Sequence, residues 1–382
     1  MTRRLRFIII LFLSAGAACA NELMLNMGGE IMMGTGNSST VAMQRLTSDS
    51  IAVDPAFEFY KKKSWEDWAE EIKSLGFNAV HIIIVANIPL QQQNLMVKTF
   101  HEKGMSCVLR LYPTTDFAAY DLHPDWRQKM LDGSSRYDWR VYLCPNSEAF
   151  TEHACSEVRR ILGAVPYDAI ELAEPWFEIW GGPYAENPNR GKYACICDNC
   201  TRLFKEQTGA DPIDFLNTPE TLNTTNYQIY HKWQDFRVNS ILQFSKRLYD
   251  EALKVRPGIR LIHMHLSDCT VAPEKSREYQ AQDLDAALKF LKPDVLIIED
   301  AWQDWTQPDL QPEFVRAYAE AYVARSRAIQ PNIVIKAHAD IGSLKPSRRN
   351  LAWMRQFGKE AREGGFNSII FYEFSLGDYS NK

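Results

Sequence analysis

The sequence has no apolar run long enough to cross a membrane as a helix. Its first such run, Phe7 to Leu13, falls far short of the roughly 20 residues that a span needs. Tandem repeats with periods of about 20–50 residues are also missing, as is any low-complexity tract, which excludes solenoids and disordered linkers. Basic runs are no longer than three residues and the formal net charge is -5. An acidic chain without clustered Lys and Arg is a poor nucleic-acid binder, so that class is set aside. No glycine-rich phosphate turn follows the first apolar run. Gly28-Gly29 and Gly34-x-Gly36 do not fit G-x-G-x-x-G and read as loop punctuation, although a doubly wound sheet stays open as an architecture. What remains is ordinary globular composition, 46% hydrophobic and 24% charged over 382 residues.

The first residues carry a different signal. Arg3, Arg4 and Arg6 precede the short apolar run, and small residues then end in Ala18-Cys19-Ala20. This is the pattern of a secretory signal peptide over residues 1–20, cut before Asn21, and it predicts a secreted or periplasmic protein. Lipidation at Cys19 is the alternative, but Gly16 stands where a lipid-attachment motif prefers Leu. Cleavage leaves Cys107, Cys144, Cys155, Cys195, Cys197, Cys200 and Cys269. An odd count in an oxidising compartment argues against a simple disulfide framework.

Short apolar runs alternate with amphipathic stretches along the rest of the chain. Strands are predicted at Leu23–Met27, Ala79–Val85, Cys107–Pro113, Ala169–Glu174, Ile259–Leu266, Val295–Glu299, Ile333–His338 and Ser368–Phe374. Near-continuous apolar strands are those buried on both faces of a parallel sheet. Helical periodicity covers Trp65–Leu75, Gln91–Lys103, Glu148–Leu162, Tyr227–Val255, Asp283–Leu291, Pro312–Ile329 and Ser347–Glu363. Eight strands separated by seven helices predict a (β/α)₈ barrel without a final helix, a single domain over residues 21–382. Two βα connections are long: Thr114 to about Ser147 after strand three, and Pro175 to about Asn226 after strand four. Such loops lie on the C-terminal face of a barrel, where active sites are built.

The second long loop contains Cys195-Ile196-Cys197-Asp198-Asn199-Cys200. Three thiols this close suit three ligands of one tetrahedral zinc ion, with a fourth from elsewhere. The stretch Tyr193–Phe204, YACICDNCTRLF, resembles glycoside hydrolase family forty-two, the bacterial beta-galactosidases. Leu143–Phe150, LCPNSEAF, resembles the family's C-P-N-S-P-x-F/Y segment, which supplies the remaining zinc ligand. By that resemblance Cys144 joins Cys195, Cys197 and Cys200, and the zinc is structural because four thiolates leave no open position. The likeness extends to Glu171–Trp176, ELAEPW, and makes Glu174 the general acid/base at the end of strand four. There are departures. Ala173 stands where the family has Asn, and Ile335-Lys336-Ala337-His338-Ala339-Asp340 has no Glu where the family nucleophile ends strand seven.

Carboxylates terminate several strands: Glu174, Asp268, Glu299, Asp300, Asp340 and Glu373. Glycosidic cleavage needs an acid and a second carboxylate, so Glu174 is paired with Asp340 first, Glu299 second and Glu373 third. Asp340 is the shorter side chain, which suits a gap wide enough for water and hence inversion. Pro175 is expected to fix the direction of Glu174, and Trp176 to exclude water and raise its pKa. Trp176, Trp180, Tyr184, Trp302, Trp305, Tyr372 and Phe374 suit sugar faces, with Trp176 and Trp302 favoured because they follow strand-end carboxylates. Arg110, His265, Tyr372 and Glu373 complete the candidate substrate contacts for an oligo- or polysaccharide. Two other functions fit the same residues. One is a metal-dependent hydrolase or deacetylase using His263, His265, His338 and Asp340; the other is a catalytically inactive glycan-binding barrel.

Overall fold

The computed structural model describes residues 45–85, 88–138, 140–178, 193–216, 227–267, 277 and 279–380. Eight parallel strands close in sequence order into one barrel: β1 Ser50–Val53, β2 Ala79–Ile83, β3 Ser106–Leu111, β4 Ala169–Leu172, β5 Arg260–Leu266, β6 Val295–Glu299, β7 Val334–Asp340 and β8 Ser368–Tyr372. Helices alternate with them, as in a (β/α)₈ TIM barrel. Strands two to eight lie where the apolar runs predicted them. The first does not: it is Ser50-Ile51-Ala52-Val53, whereas Leu23–Met27 and the leader residues 1–20 lie outside the described residues. Four residues, two of them small, carry too little pattern to stand out in sequence.

Side-chain parity sorts each strand into an inner and an outer set. Val108, Ala169, Ala173, Ile262, Met264, Val295, Ile297, Val334 and Ile370 form the inner cluster, with Tyr112 packed against it. Ile51, Leu109, Ile170, Leu172, Leu261, Ile298, Ile335, Ala337 and Phe371 face the helical layer. Local signals set the helix starts. Asn350 accepts the Trp353 N–H at 2.9 Å to begin helix Leu351–Glu363, and Ser147 caps helix Glu148–Ala164 through the Phe150 N–H at 3.4 Å. The 29-residue helix Tyr227–Val255 packs along Glu148–Ala164 and buries Trp233 completely. No described helix is long and apolar enough to cross a membrane.

The inner face also carries charge. Lys336 is wholly buried, and its ammonium donates to the Ser48 carbonyl at 2.8 Å and to the Ser50 hydroxyl. Burial pulls this lysine down to about 7, although Asp49 and Glu171 attract its charge. An unfolded lysine keeps its proton to about pH 10.4. Between those values the unfolded chain binds the extra proton, so stability rises with pH across the window; below about 7 both states are protonated and the contribution flattens. The urea midpoint of the wild type is therefore expected to climb between about pH 7 and 9.5, and Lys336→Met to remove most of that climb. An identical pH profile in the variant would contradict the account.

Candidate active site and cysteine cluster

Arg110 projects inward from β3 and is wholly buried. Its Nε lies 3.5 Å from Glu171 Oε1 on β4, while Glu171 Oε2 sits 2.5 Å from His81 Nδ1 on β2. Burial alone would raise Glu171, but Arg110 and His81 together hold it below the usual carboxylate range. The guanidinium rests between Tyr112 and Tyr372, 5.5 and 5.6 Å from their rings, and its Nε and Nη1 have no hydrogen-bond partner. Arg110 and Tyr372 thus both belong to the inner floor of the barrel mouth.

Glu174 stands two residues beyond the end of β4, with a left-handed φ of 51°. Such a backbone is uncommon outside Gly, and here it precedes Pro175. The carboxylate forms an ion pair with Arg140, whose Nη2 also donates to the Glu174 carbonyl at 3.3 Å. Arg140 comes from the long loop after β3. Its guanidinium lies 4.9 Å from the Tyr112 ring, 4.8 Å from Tyr142 and 5.3 Å from Trp176. Trp176 therefore covers the cation that holds Glu174. Sequence reasoning passed over Arg140, whose only signal was its place four residues before Cys144 in a long βα loop. It also passed over Glu178, which is buried against Arg136 Nη1 at 2.8 Å and pushed by burial up to about 7.

Among the other candidate carboxylates, Glu299 closes β6 on the inner face, and its Oε2 has no hydrogen-bond partner. Burial and the neighbouring Glu174 charge push it well above the usual range, with Arg110 opposing them. Asp340 is differently employed. It accepts the Gly342 and Ser343 N–H groups, both at 2.9 Å, and the Ser343 hydroxyl; burial and the adjacent Asp300 charge raise it to about 6. Glu373 binds Asp54 N–H at 3.0 Å, Ser375 N–H at 2.8 Å, the Tyr60 hydroxyl and the Ser375 hydroxyl, tying β8 back to the chain after β1. Asp340 and Glu373 hold turns, while Glu299 shares the field of Glu174.

Two histidine expectations are corrected. Met264 and Ile262 point inward, so His263 and His265 point outward; the His265 ring lies 5.7 Å from Tyr322 in the helical layer. Burial depresses both, to about 4 and about 3. His338 and Asp340 face the opposite side of the barrel wall, so the four-residue metal site is not assembled, and His265 does not reach the mouth. Trp180, Tyr184, Asp268 and Cys269 lie outside the described residues, as does the side chain of Trp302.

The four predicted cysteines do converge. The Sγ atoms of Cys144, Cys195, Cys197 and Cys200 all lie within 4.8 Å of one another and all are buried. Cys144 is 3.4 Å from both Cys197 and Cys200, far outside a disulfide bond of about 2.05 Å. A tetrahedral metal with metal–sulfur bonds of about 2.3 Å would set neighbouring sulfurs about 3.8 Å apart, which this group fits. Asn146 donates to Cys200 Sγ at 3.2 Å and to Ser240 Oγ at 2.9 Å. Around the cluster, Cys144 N–H bonds the Trp126 carbonyl at 2.7 Å, Leu131 N–H the Tyr193 carbonyl at 2.9 Å, and Ile196 N–H the Lys129 carbonyl at 2.9 Å. The loops after β3 and β4 are thereby joined to each other and to helix Tyr227–Val255.

No protein-family model and no curated protein sequence matches the chain. Solved structures do. The GH42 beta-galactosidase Gan42B superposes with a TM-score of 0.63 at 12% identity, covering 88% of this chain and 54% of that one. The beta-galactosidase of the Antarctic haloarchaeon Halorubrum lacusprofundi gives 0.61 at 14%, covering 85% and 52%. The PgaB (BpsB) glycoside hydrolase domain from Bordetella bronchiseptica gives 0.60 at 10%, covering 85% and 93%. The chain spans about half the length of the two beta-galactosidases. At these identities the likeness establishes the barrel fold.

Glu299 is expected to hold its proton to higher pH than an exposed glutamate, seen as a protonated carboxyl stretch that Glu299→Gln abolishes. Glu174→Gln removes the repelling charge and shifts that titration to lower pH. A midpoint that does not move in Glu174→Gln would show that the two carboxyl groups do not share a site.

Proposed function

We propose that this protein is a glycoside hydrolase whose barrel mouth cleaves a glycosidic bond between Glu174 and Glu299. The observation that carries the proposal is the pairing of two strand-end carboxyl groups in opposite environments. Glu174 is ion-paired with Arg140, whereas Glu299 is half-buried, its Oε2 has no hydrogen-bond partner among the described residues, and burial with the Glu174 charge raises it. Groups whose surroundings push them apart divide into acid and base. Glu299 supplies the proton to the leaving oxygen as the bond to the anomeric carbon breaks. Glu174, ion-paired with Arg140, acts on the opposite side of the sugar, taking the proton of an attacking water or bonding the anomeric carbon itself. This exchanges the roles read from sequence, in which Glu174 was the acid, and it moves the partner from Asp340 to Glu299.

Supporting this reading, the matched structures are named as beta-galactosidases and a glycoside hydrolase domain. Arg110, Tyr112, Tyr372 and Trp176 around the pair offer donors and ring faces of the kind that hold sugar hydroxyls and C–H faces. The four-cysteine group suits zinc, with Cys144, Cys195, Cys197 and Cys200 as its ligands. A closed thiolate shell of this kind supplies loop structure and no Lewis-acid chemistry. The leader pattern over residues 1–20 favours an exported enzyme acting on an external oligo- or polysaccharide.

An unbiased glycan digestion screen tests the proposal. The wild type should release product from at least one glycan, and Glu174→Gln and Glu299→Gln should each lose about 10²–10⁴-fold in rate. Cleavage that survives both substitutions would overturn it. Binding without cleavage by the wild type would establish the glycan-binding barrel in its place.

A further inference from the structure

Beside Glu299, the inner face holds a histidine with half of its hydrogen-bonding capacity unspent. β6 and β7 pair Ile298 with Ala337, so Glu299 and His338 follow as neighbours, both pointing inward. His338 is 5% exposed, and its Nδ1 lies 2.7 Å from Asp300 Oδ1. The other carboxylate oxygen of Asp300 accepts the Asp340 N–H at 3.0 Å. Asp300 is therefore fixed at both oxygens. A carboxylate only accepts hydrogen bonds, so the proton between the two belongs on Nδ1, and the tautomer this favours has its lone pair on Nε2. Nε2 has no hydrogen-bond partner among the described residues.

Buried polar atoms without partners are rare and call for an explanation. On the inner face these include Arg110 Nη1, a donor, and, where the strands end, His338 Nε2 and Glu299 Oε2; His81 Nε2 and Glu171 Oε1 also lack partners. Charge is balanced nearby, since Arg110 faces Glu171 and Arg140 faces Glu174. The unspent capacity therefore asks for a neutral ligand that both donates and accepts, as a sugar bearing adjacent hydroxyl groups does.

We propose that His338, oriented by Asp300, is a substrate-contacting residue whose Nε2 accepts a hydrogen bond from a hydroxyl of the sugar unit bound beside Glu299. Asp300 is the positioning residue that sets the tautomer. The role rests on the hydrolase reading for its substrate and on the Asp300 geometry for its chemistry, and these are separable. Long-range nitrogen–proton correlation spectra of the full chain at neutral pH read the tautomer without any ligand. A protonated Nδ1 and bare Nε2 are expected at His338; a protonated Nε2 overturns the proposal whatever the activity. On whichever glycan the wild type cleaves, His338→Phe should lower kcat/KM by about 10–100-fold, the range for losing one hydrogen bond to a buried group. His338→Gln, whose amide oxygen can still accept, should recover most of it. A Phe variant within about twofold of wild type would sink the contact. An inactive wild type would instead count against the hydrolase reading, with the tautomer still decided by the spectra.

Discussion

Four buried sulfurs join two loops that the barrel itself would leave loosely tethered. Cys144 ends the loop after β3, while Cys195, Cys197 and Cys200 belong to the loop after β4. Arg140 lies four residues before the first, and Glu174 opens the segment leading to the others. The ion pair between Arg140 and Glu174 therefore spans the same two loops as the cysteine cluster, nearer the mouth. Tyr193 continues the connection inward: its hydroxyl accepts from Trp233 Nε1 at 3.1 Å, and Arg237 lies 4.3 Å from its ring. Long βα loops carry chemistry in barrels because a rigid sheet holds their ends. In this protein a second clamp, made of sulfur, holds their middles.

The barrel interior encloses several ionisable side chains. His81, Arg110, Glu171, Lys336 and His338 are all buried among the inner aliphatic residues. Uncompensated, each would be costly, and removing one member of such a set typically destabilises by about 3–5 kcal/mol. Compensation is built level by level up the barrel. Lys336 is satisfied by Ser48 and Ser50, Glu171 by His81 and Arg110, and Glu174 by Arg140. Compensation is incomplete: among the described residues His81 Nε2, Arg110 Nε and Nη1, and Glu171 Oε1 lack hydrogen-bond partners, as do Glu299 Oε2 and His338 Nε2 near the strand ends.

How much of this was legible in the sequence follows from what each signal measures. Strands β2 to β8 announce themselves because both faces are buried and the runs are unbroken; Ser50–Val53 does not, being four residues with small inner side chains. The same double burial hides orientation. In His263-Met264-His265 the spacing puts both imidazoles on one face, but an apolar strand does not say which face is inner, and Met264 took it. Strand-end carboxylates were ambiguous for a related reason. Asp340 and Glu373 are followed by Ser343 and Ser375, whose backbone and hydroxyl groups close local turns on them. Glu299 has no such neighbour and stays unengaged. Arg140 carried no periodic signal, since a loop cation is defined only by the partner that folding brings to it. Cys195, Cys197 and Cys200 were legible because metal-ligand spacing is local chemistry, whereas Cys144, about fifty residues away, was reached only through the family resemblance.

The central claim is that the sulfur cluster holds a metal and thereby positions the loops that carry Arg140 and Glu174. Hydrogen exchange of the full chain before and after chelation, with the released metal quantified, tests it most directly. The account predicts one zinc per chain, with faster exchange after its removal in residues 127–144 and 193–204 and little change in the strands of the barrel. A chain that releases no metal, or whose two loops exchange equally with and without it, would contradict the account.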